Sequence, residues 1–398
     1  MTLTQRIQGN ERRYIEEVLQ SDFRSSKGAG MMGKLEKAFA ERFGSTYAIS
    51  FVNGTATMHA ALEAKGIGPG DEVIVPPLTM SATSFAVLQA NATPVFADVE
   101  GDTFQISAAS IAQRITPRTK AIITVALYGL SPDMDAIMAL AKQHNLFVVE
   151  DNAECFLGRY KNRMVGTLGH CASFSFQSSK HITSGEGGMI ITDDLVLADN
   201  IRKVQSLGYA GVGATKGKIA KRDIQHPDYL RHVSMGWNYR MPELCCAVAL
   251  AQLENLDVLV NRRIEASMAF EEAARGCDWL VPQKTPPGLV NSYWTWVAVL
   301  KSDDVTWMQF RDRFVELGGD GIYAAWQLSY LEPMFQNLQL LGRERFISEA
   351  VKNTYQRGLC PVAERLQPRL LQFKNSYWDP KDAQTQAQVL RKTIASFS

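Results

Sequence analysis

Apolar and polar residues recur along this chain with two different spacings, and the change between them divides it into parts. Residues 10–20 and 33–43 set apolar side chains at helical intervals among charged ones, which predicts two amphipathic helices joined by the small-residue loop Ser21–Met32 (SDFRSSKGAGMM). From Tyr47 the pattern shortens. YAISFV (47–52), DEVIVP (71–76), TPVFADV (93–99), AIITVAL (121–127) and LFVVED (146–151) are nearly unbroken apolar runs of strand length. ATMHAALEAKG, ISAASIAQRI and PDMDAIMALAKQHN lie between them as helices. Apolar strands alternating with helices predict an α/β layer, with a mostly parallel sheet covered on both faces. CASFSF (171–176) and GGMIITDD (187–194) follow closely and read as a hairpin ending the sheet.

Residues 241–275 form the longest helical stretch, long enough to link two domains. After Cys277 come strand-like WTWVAVL (294–300), the helix TWMQFRDRFVELG, the loop GDGIYAAWQLSYLEPMF and a last helix near 382–396. The predicted division is a large α/β domain over 1–255, with its N-terminal helical segment, and a smaller α+β domain over 256–398. A length of 398 residues agrees with two domains of roughly 100–200 residues or somewhat more.

Charge narrows the partners. Lys and Arg number 42 against 41 Asp and Glu, a net +1, so no broad field draws the chain to nucleic acid or an anionic membrane. No run of about 18 apolar residues occurs and the first twenty residues lack a signal-peptide core, which predicts a soluble cytoplasmic protein. Six scattered cysteines, without a Cys-x-x-Cys pair or a spaced histidine, read as reduced thiols, and no metal site is expected.

Candidate chemistry lies in three places. Gly54 and Thr55 fall between a strand and a helix, where open backbone N–H groups favour an anion, although Thr55 could simply cap the helix. Asp151 ends an apolar strand, the edge at which open α/β sheets gather ligands; there it could hold a protonated ring nitrogen or cap the next turn. Lys180 lies between apolar β-sequence and a glycine-rich turn (Gly185, Gly187, Gly188), a setting that suits an imine-forming amine. A phosphate cradle, a carboxylate and a lysine about 30 residues further on supply what pyridoxal phosphate requires.

NGTATMHAAL (53–62), GDEVIVPPLTMSATSFAV (70–87), VVEDNAE (148–154), FSFQSSKHITSGEGG (174–188) and GWNYRMPEL (236–244) together resemble the DegT/DnrJ/EryC1/StrS sugar aminotransferases. The likeness is dense over roughly residues 20–260 and looser beyond. It implies the type I aspartate aminotransferase fold, pyridoxal 5'-phosphate as cofactor, and a homodimer whose active sites are shared between subunits. By position, Lys180 would form the imine with the cofactor and Asp151 would bind its ring nitrogen. Gly54, Thr55 and Ser175 would hold its phosphate, joined by Asn238 from the partner chain. Glu154 stands where the family usually has Gln against the ring hydroxyl, a contact that suits a carboxyl group only when protonated. Met80 stands where an aromatic residue stacks on the ring, and Ala126 where many members have His. A deoxygenating branch of the family has His in place of the lysine; here the lysine is present and His181 follows it, so transamination is expected. A catalytically silent member acting as a regulator is disfavoured, because Lys180, Asp151 and Thr55 are all retained.

The segment 211–232 carries Lys216, Lys218, Lys221, Arg222 and Arg231 against two aspartates; it reads either as a solvated charged loop or as a basic cluster for an anionic substrate, with Arg24 and Lys27 as further candidates for that role. Tyr323 and Trp326 of GIYAAWQLSYL are expected to line the sugar pocket. The resemblance points first to an 8-oxo octulosonate acceptor for lipopolysaccharide, aminated by L-glutamate. A nucleotide-linked 4-keto-6-deoxy sugar and a keto-inositol are the alternatives.

Overall fold

A computed structural model describes residues 5–7, 9–23, 30–337 and 354–397. The chain lays down β1 (Tyr47–Phe51), β2 (Glu72–Val75), β3 (Thr93–Phe96), β4 (Thr119–Val125) and β5 (Phe147–Asp151). The short β6 (Arg159–Tyr160) and β7 (Arg163–Met164) precede β8 (Cys171–Ser175) and β9 (Gly188–Thr192). Seven of these form the central sheet in the order β1-β9-β8-β5-β4-β2-β3. The strands from β8 to β3 run parallel, while β9 is antiparallel to both its neighbours, so the predicted hairpin is β8–β9, with Ala172 opposite Ile191.

Every residue of β2, β5, β8 and β9 is buried, as unbroken apolar runs require. One face packs on the helices Glu11–Gln20, Met31–Phe43 and Glu243–Glu254 through Phe39, Phe43, Phe156, Phe174 and Phe176. The other packs on Gly54–Ala64 and Ala82–Gln89 through Met58, Leu62, Val87 and Ile123.

Beyond residue 275, β10 (Leu280–Pro282), β12 (Trp296–Leu300), β13 (Ile322–Ala324) and β14 (Leu370–Phe373) make an antiparallel sheet in the order β10-β12-β14-β13, while β11 (Leu289–Val290) joins β6 and β7. The helices Leu256–Ala274 and Pro380–Ala395 pack on this sheet around Phe270, Trp296 and Phe373. Among the described residues no helix is long and apolar enough to cross a membrane.

Several elements depart from the pattern. The helical stretch 241–275 is two helices, Glu243–Glu254 and Leu256–Ala274, broken at Asn255. Its side-chain amide donates to the Ala251 carbonyl at 3.1 Å, the local bond with which Asn competes against the helix ladder. The loop 319–335 contains β13, a single turn at Ser329–Leu331 and the start of the helix Pro333–Asn337. Helix Ala82–Gln89 was hidden because it is apolar almost all round, leaving no polar stripe to show the period.

Candidate active site

The site is assembled where β5 and β8 end. Asp151 is 4% exposed, and both its oxygens are engaged: Thr83 Oγ1 donates to Oδ2 at 2.9 Å and the Ala153 N–H to Oδ1 at 3.1 Å. It therefore caps the next turn and remains a buried acid. Burial raises its carboxyl above the ordinary value, opposed by Thr83, by the Ala153 N–H and by the charge of Lys180.

Lys180 follows β8 in a tight turn, its N–H donating to the Gln177 carbonyl at 3.0 Å. Its side chain is 12% exposed, with Nζ 3.2 Å from Glu154 Oε1 and 4.6 Å from the ring centroid of Trp294. Glu154 Oε2 accepts the Tyr128 N–H at 3.0 Å, and the Tyr128 carbonyl accepts the Trp294 N–H at 2.9 Å. Both neighbours of the amine thus hang on one residue, which holds the left-handed conformation at φ 63°. A non-glycine residue keeps such a backbone only where its surroundings over-determine it.

The turn is clamped from behind. Arg263, buried on the helix Leu256–Ala274, donates to the Ser179 carbonyl at 2.7 Å and the Lys180 carbonyl at 3.2 Å, and Arg6 donates to the carbonyls of Ser178 and Lys180. Burial and the nearby Arg6 push the Arg263 guanidinium down to about 9. His181 turns into the core, where Nε2 donates to the Ser292 carbonyl at 2.9 Å. Burial, with Arg263 and Lys180 nearby, holds this imidazole neutral, well below its ordinary value.

The helix Gly54–Ala64 begins beside Ser175, at the end of β8. Asn53, not Thr55, is its cap, accepting the Ala56 N–H at 2.8 Å. The N–H groups of Gly54 and Thr55, which no helix satisfies internally at its first turn, and the Thr55 hydroxyl are thereby left for another partner. The glycines here are spacing devices. A Cβ on Gly54 would lie 3.1 Å from Ser175 Cβ, and one on Gly188 would lie 2.6 Å from the Asn53 carbonyl carbon. They draw the helix start against Ser175, whose Oγ accepts the Gln177 N–H at 3.3 Å.

Other expected residues fall less centrally. Met80 is half exposed, just before Thr83, and Ala126 is buried with its N–H on the Asp151 carbonyl. Trp326 is brought in through its ring contact with Trp294, the centroids 5.8 Å apart. Tyr323 lies on β13, 60% exposed. Asn238 is exposed at φ 60°. Lys218 and Lys221 line a cleft with Phe23, Tyr209 and Arg240 that includes none of Lys180, Asp151 or Glu154. Arg24 and Lys27 lie outside the described residues.

Trp294, Tyr128, Thr83 and Arg263 were not singled out from the sequence. The run WTWVAVL presents its two tryptophans as equivalent inward positions of one strand. The strand starts only at Trp296, and Trp294, which follows the left-handed Tyr293 (φ 48°), lies before it and faces the lysine.

An amine held in a dry pocket, a buried carboxylate at a strand end and a helix start shaped for a phosphate define a pyridoxal phosphate-dependent transaminase of the type I fold. The sequence profile of the DegT/DnrJ/EryC1/StrS aminotransferase family matches residues 5–369, and the chain belongs to that family. It is 40% identical over 288 residues to a GDP-perosamine synthase of Escherichia coli O157:H7, covering 72% of this chain and 74% of that one. It is 44% identical over 252 residues to a GDP-perosamine synthase of Caulobacter vibrioides, covering 63% and 64%. The structure of an aminotransferase from Psychrobacter cryohalolentis superposes with a TM-score of 0.84 at 29% identity, over 97% of this chain and 96% of the other.

Proposed function

We propose that the protein transfers the amino group of L-glutamate to the keto carbon of a nucleotide-linked 4-keto-6-deoxy sugar. The observation that carries the chemistry is the setting of the Lys180 amine, 3.2 Å from Glu154, against the ring of Trp294 and near enough to the buried Asp151 for its charge to act on that carboxyl. When bound, pyridoxal phosphate supplies the electron-accepting ring that lets an amino group pass between carbon skeletons. Lys180 would tether it, and its amine, when free, would carry a proton to and from the substrate carbon. Asp151, kept from water, favours the protonated state of the ring nitrogen. The N–H groups of Gly54 and Thr55 and the hydroxyls of Thr55 and Ser175 receive the phosphate.

The choice of acceptor rests on the relatives, whose names favour a nucleotide sugar over the octulosonate expected from the sequence. Asn238 reaches the phosphate of a partner subunit in a homodimer, a reading supported by its exposed position beside the exposed apolar side chains of Leu230, Val233 and Met235. A panel of GDP-, UDP- and dTDP-linked 4-keto-6-deoxy sugars, 8-oxo octulosonate and a keto-inositol, each offered with glutamate, tests the acceptor. Turnover of the nucleotide sugars is expected, with the GDP-linked sugar fastest; turnover of the octulosonate alone would overturn the proposal.

A further inference from the structure

We infer that Trp294 belongs to the reaction centre: its indole face is the dock for the Lys180 amine while that amine is free and carries a proton. The inference deepens the proposed chemistry and rests on Lys180 being the amine of that reaction. The ring centroid lies 4.6 Å from Nζ, within the range at which the negative face of an aromatic ring attracts a cation, and Glu154 Oε1 flanks the same nitrogen at 3.2 Å.

The ring is aimed by several independent bonds. Its main-chain N–H donates to the Tyr128 carbonyl at 2.9 Å and its carbonyl accepts from Arg263 at 2.5 Å. Its indole N–H donates to the Ser179 carbonyl at 3.0 Å. The last of these ties the edge of the ring to the peptide next to Lys180, so ring and amine keep their spacing if the turn shifts. Trp326 supports the ring from beside it, with the centroids 5.8 Å apart and the planes at 32°. Trp296, two residues on, is wholly buried against Phe270 and Phe373, so the pair divides into a core residue and a site residue.

The chemistry needs such a dock. A lysine that carries a proton between substrate atoms becomes charged on taking that proton up, and must hold the charge with little water until it passes the proton on. A carboxylate alone would bind it in one fixed geometry. An aromatic face is directionally broad and weaker, so it retains the ammonium without trapping it.

Acylation of the cofactor-free, full-length protein with trace acetic anhydride tests this, with labelling of Lys180 read by mass spectrometry against the exposed Lys37. Tryptophan carrying successively more fluorine is placed at 294, keeping the ring's shape while draining its negative face. Lys180 labelling should rise stepwise with fluorine, by about twofold to thirtyfold over the series. Trp294→Phe should fall between the native protein and Trp294→Leu. A flat or falling fluorine series overturns the inference, even if Trp294→Leu labels faster, because that would be a change of access alone. The readout needs no cofactor or sugar, so failure of the sugar panel would leave it standing, and its failure would leave the transamination reading standing.

Discussion

The side chain of Lys180 ends in an amine that is nearly dry, a setting that needs polar partners close at hand. Lys180→Ala should yield a folded protein that still takes up pyridoxal phosphate without the visible imine absorbance, and whose turnover falls by about 10²–10⁴-fold or more. Absorbance spectra and a glutamate half-reaction check both parts. Asp151→Asn keeps an acceptor for Thr83 but removes the charge, and should lower turnover at least about a hundredfold, the scale of removing one partner from a buried charge pair. His181 provides a pH effect. Its folded-state pKa is depressed well below the ordinary 6.5, so below that pH the unfolded chain takes up a proton that the folded chain refuses. Stability therefore falls as the pH drops from 7 towards 5, by up to about 1.4 kcal/mol per pH unit from this group. His181→Gln should flatten that slope in denaturant titrations of the cofactor-free protein. Lys180 and Asp151 were legible in the sequence because a lysine and a carboxylate beside apolar strands are out of place there. Trp294 and Tyr128 were not, because an aromatic residue in an apolar run reads as core, and their roles depend on left-handed backbone that no side-chain type announces.

At the level of the elements, the cofactor end depends on how closely strand β9 lets the helix Gly54–Ala64 begin. The missing Cβ of Gly188 is the clearance, 2.6 Å from the backbone of Asn53. Gly188→Ala should push the helix start outward, lower the melting temperature and weaken pyridoxal phosphate binding by about 1–3 kcal/mol, measured by fluorescence titration. Unchanged binding would show that the first turn is not the phosphate site. The parallel strands were readable because burial on both faces leaves unbroken apolar runs, and the hairpin because β8 and β9 leave little chain between them. The break at Asn255 and the strand inside 319–335 were not, since they depend on a local side-chain bond and on pairing with β14, far along the chain.

For the whole molecule, the near-balance of 42 basic and 41 acidic residues leaves recognition of an anionic sugar to local groups. Lys218 and Lys221 of the basic 211–232 segment line a cleft that includes none of Lys180, Asp151 or Glu154, and under the proposed homodimer a second subunit would bring that segment to the active site. The proposed role of Asn238 needs the same arrangement. The N–H groups of Trp237, Asn238 and Tyr239 donate to the carbonyls of Val204, Ser206 and Gln205 at 2.8, 2.7 and 2.8 Å, a rail that fixes Asn238 outward. Lys180→Ala and Asn238→Asp chains should each be weak as pure proteins. Unfolded and reassembled together in equal amounts, they should regain about a quarter of native activity, since half of the dimers are mixed and each mixed dimer has one intact site. No recovery would contradict sites shared between subunits. The central claim, that Lys180 is the amine of a pyridoxal phosphate transaminase, is tested most directly by borohydride reduction of the cofactor-loaded protein followed by peptide mass spectrometry. A phosphopyridoxyl group on Lys180 and on no other lysine is the predicted result; the group on a different lysine, or on none, would contradict it.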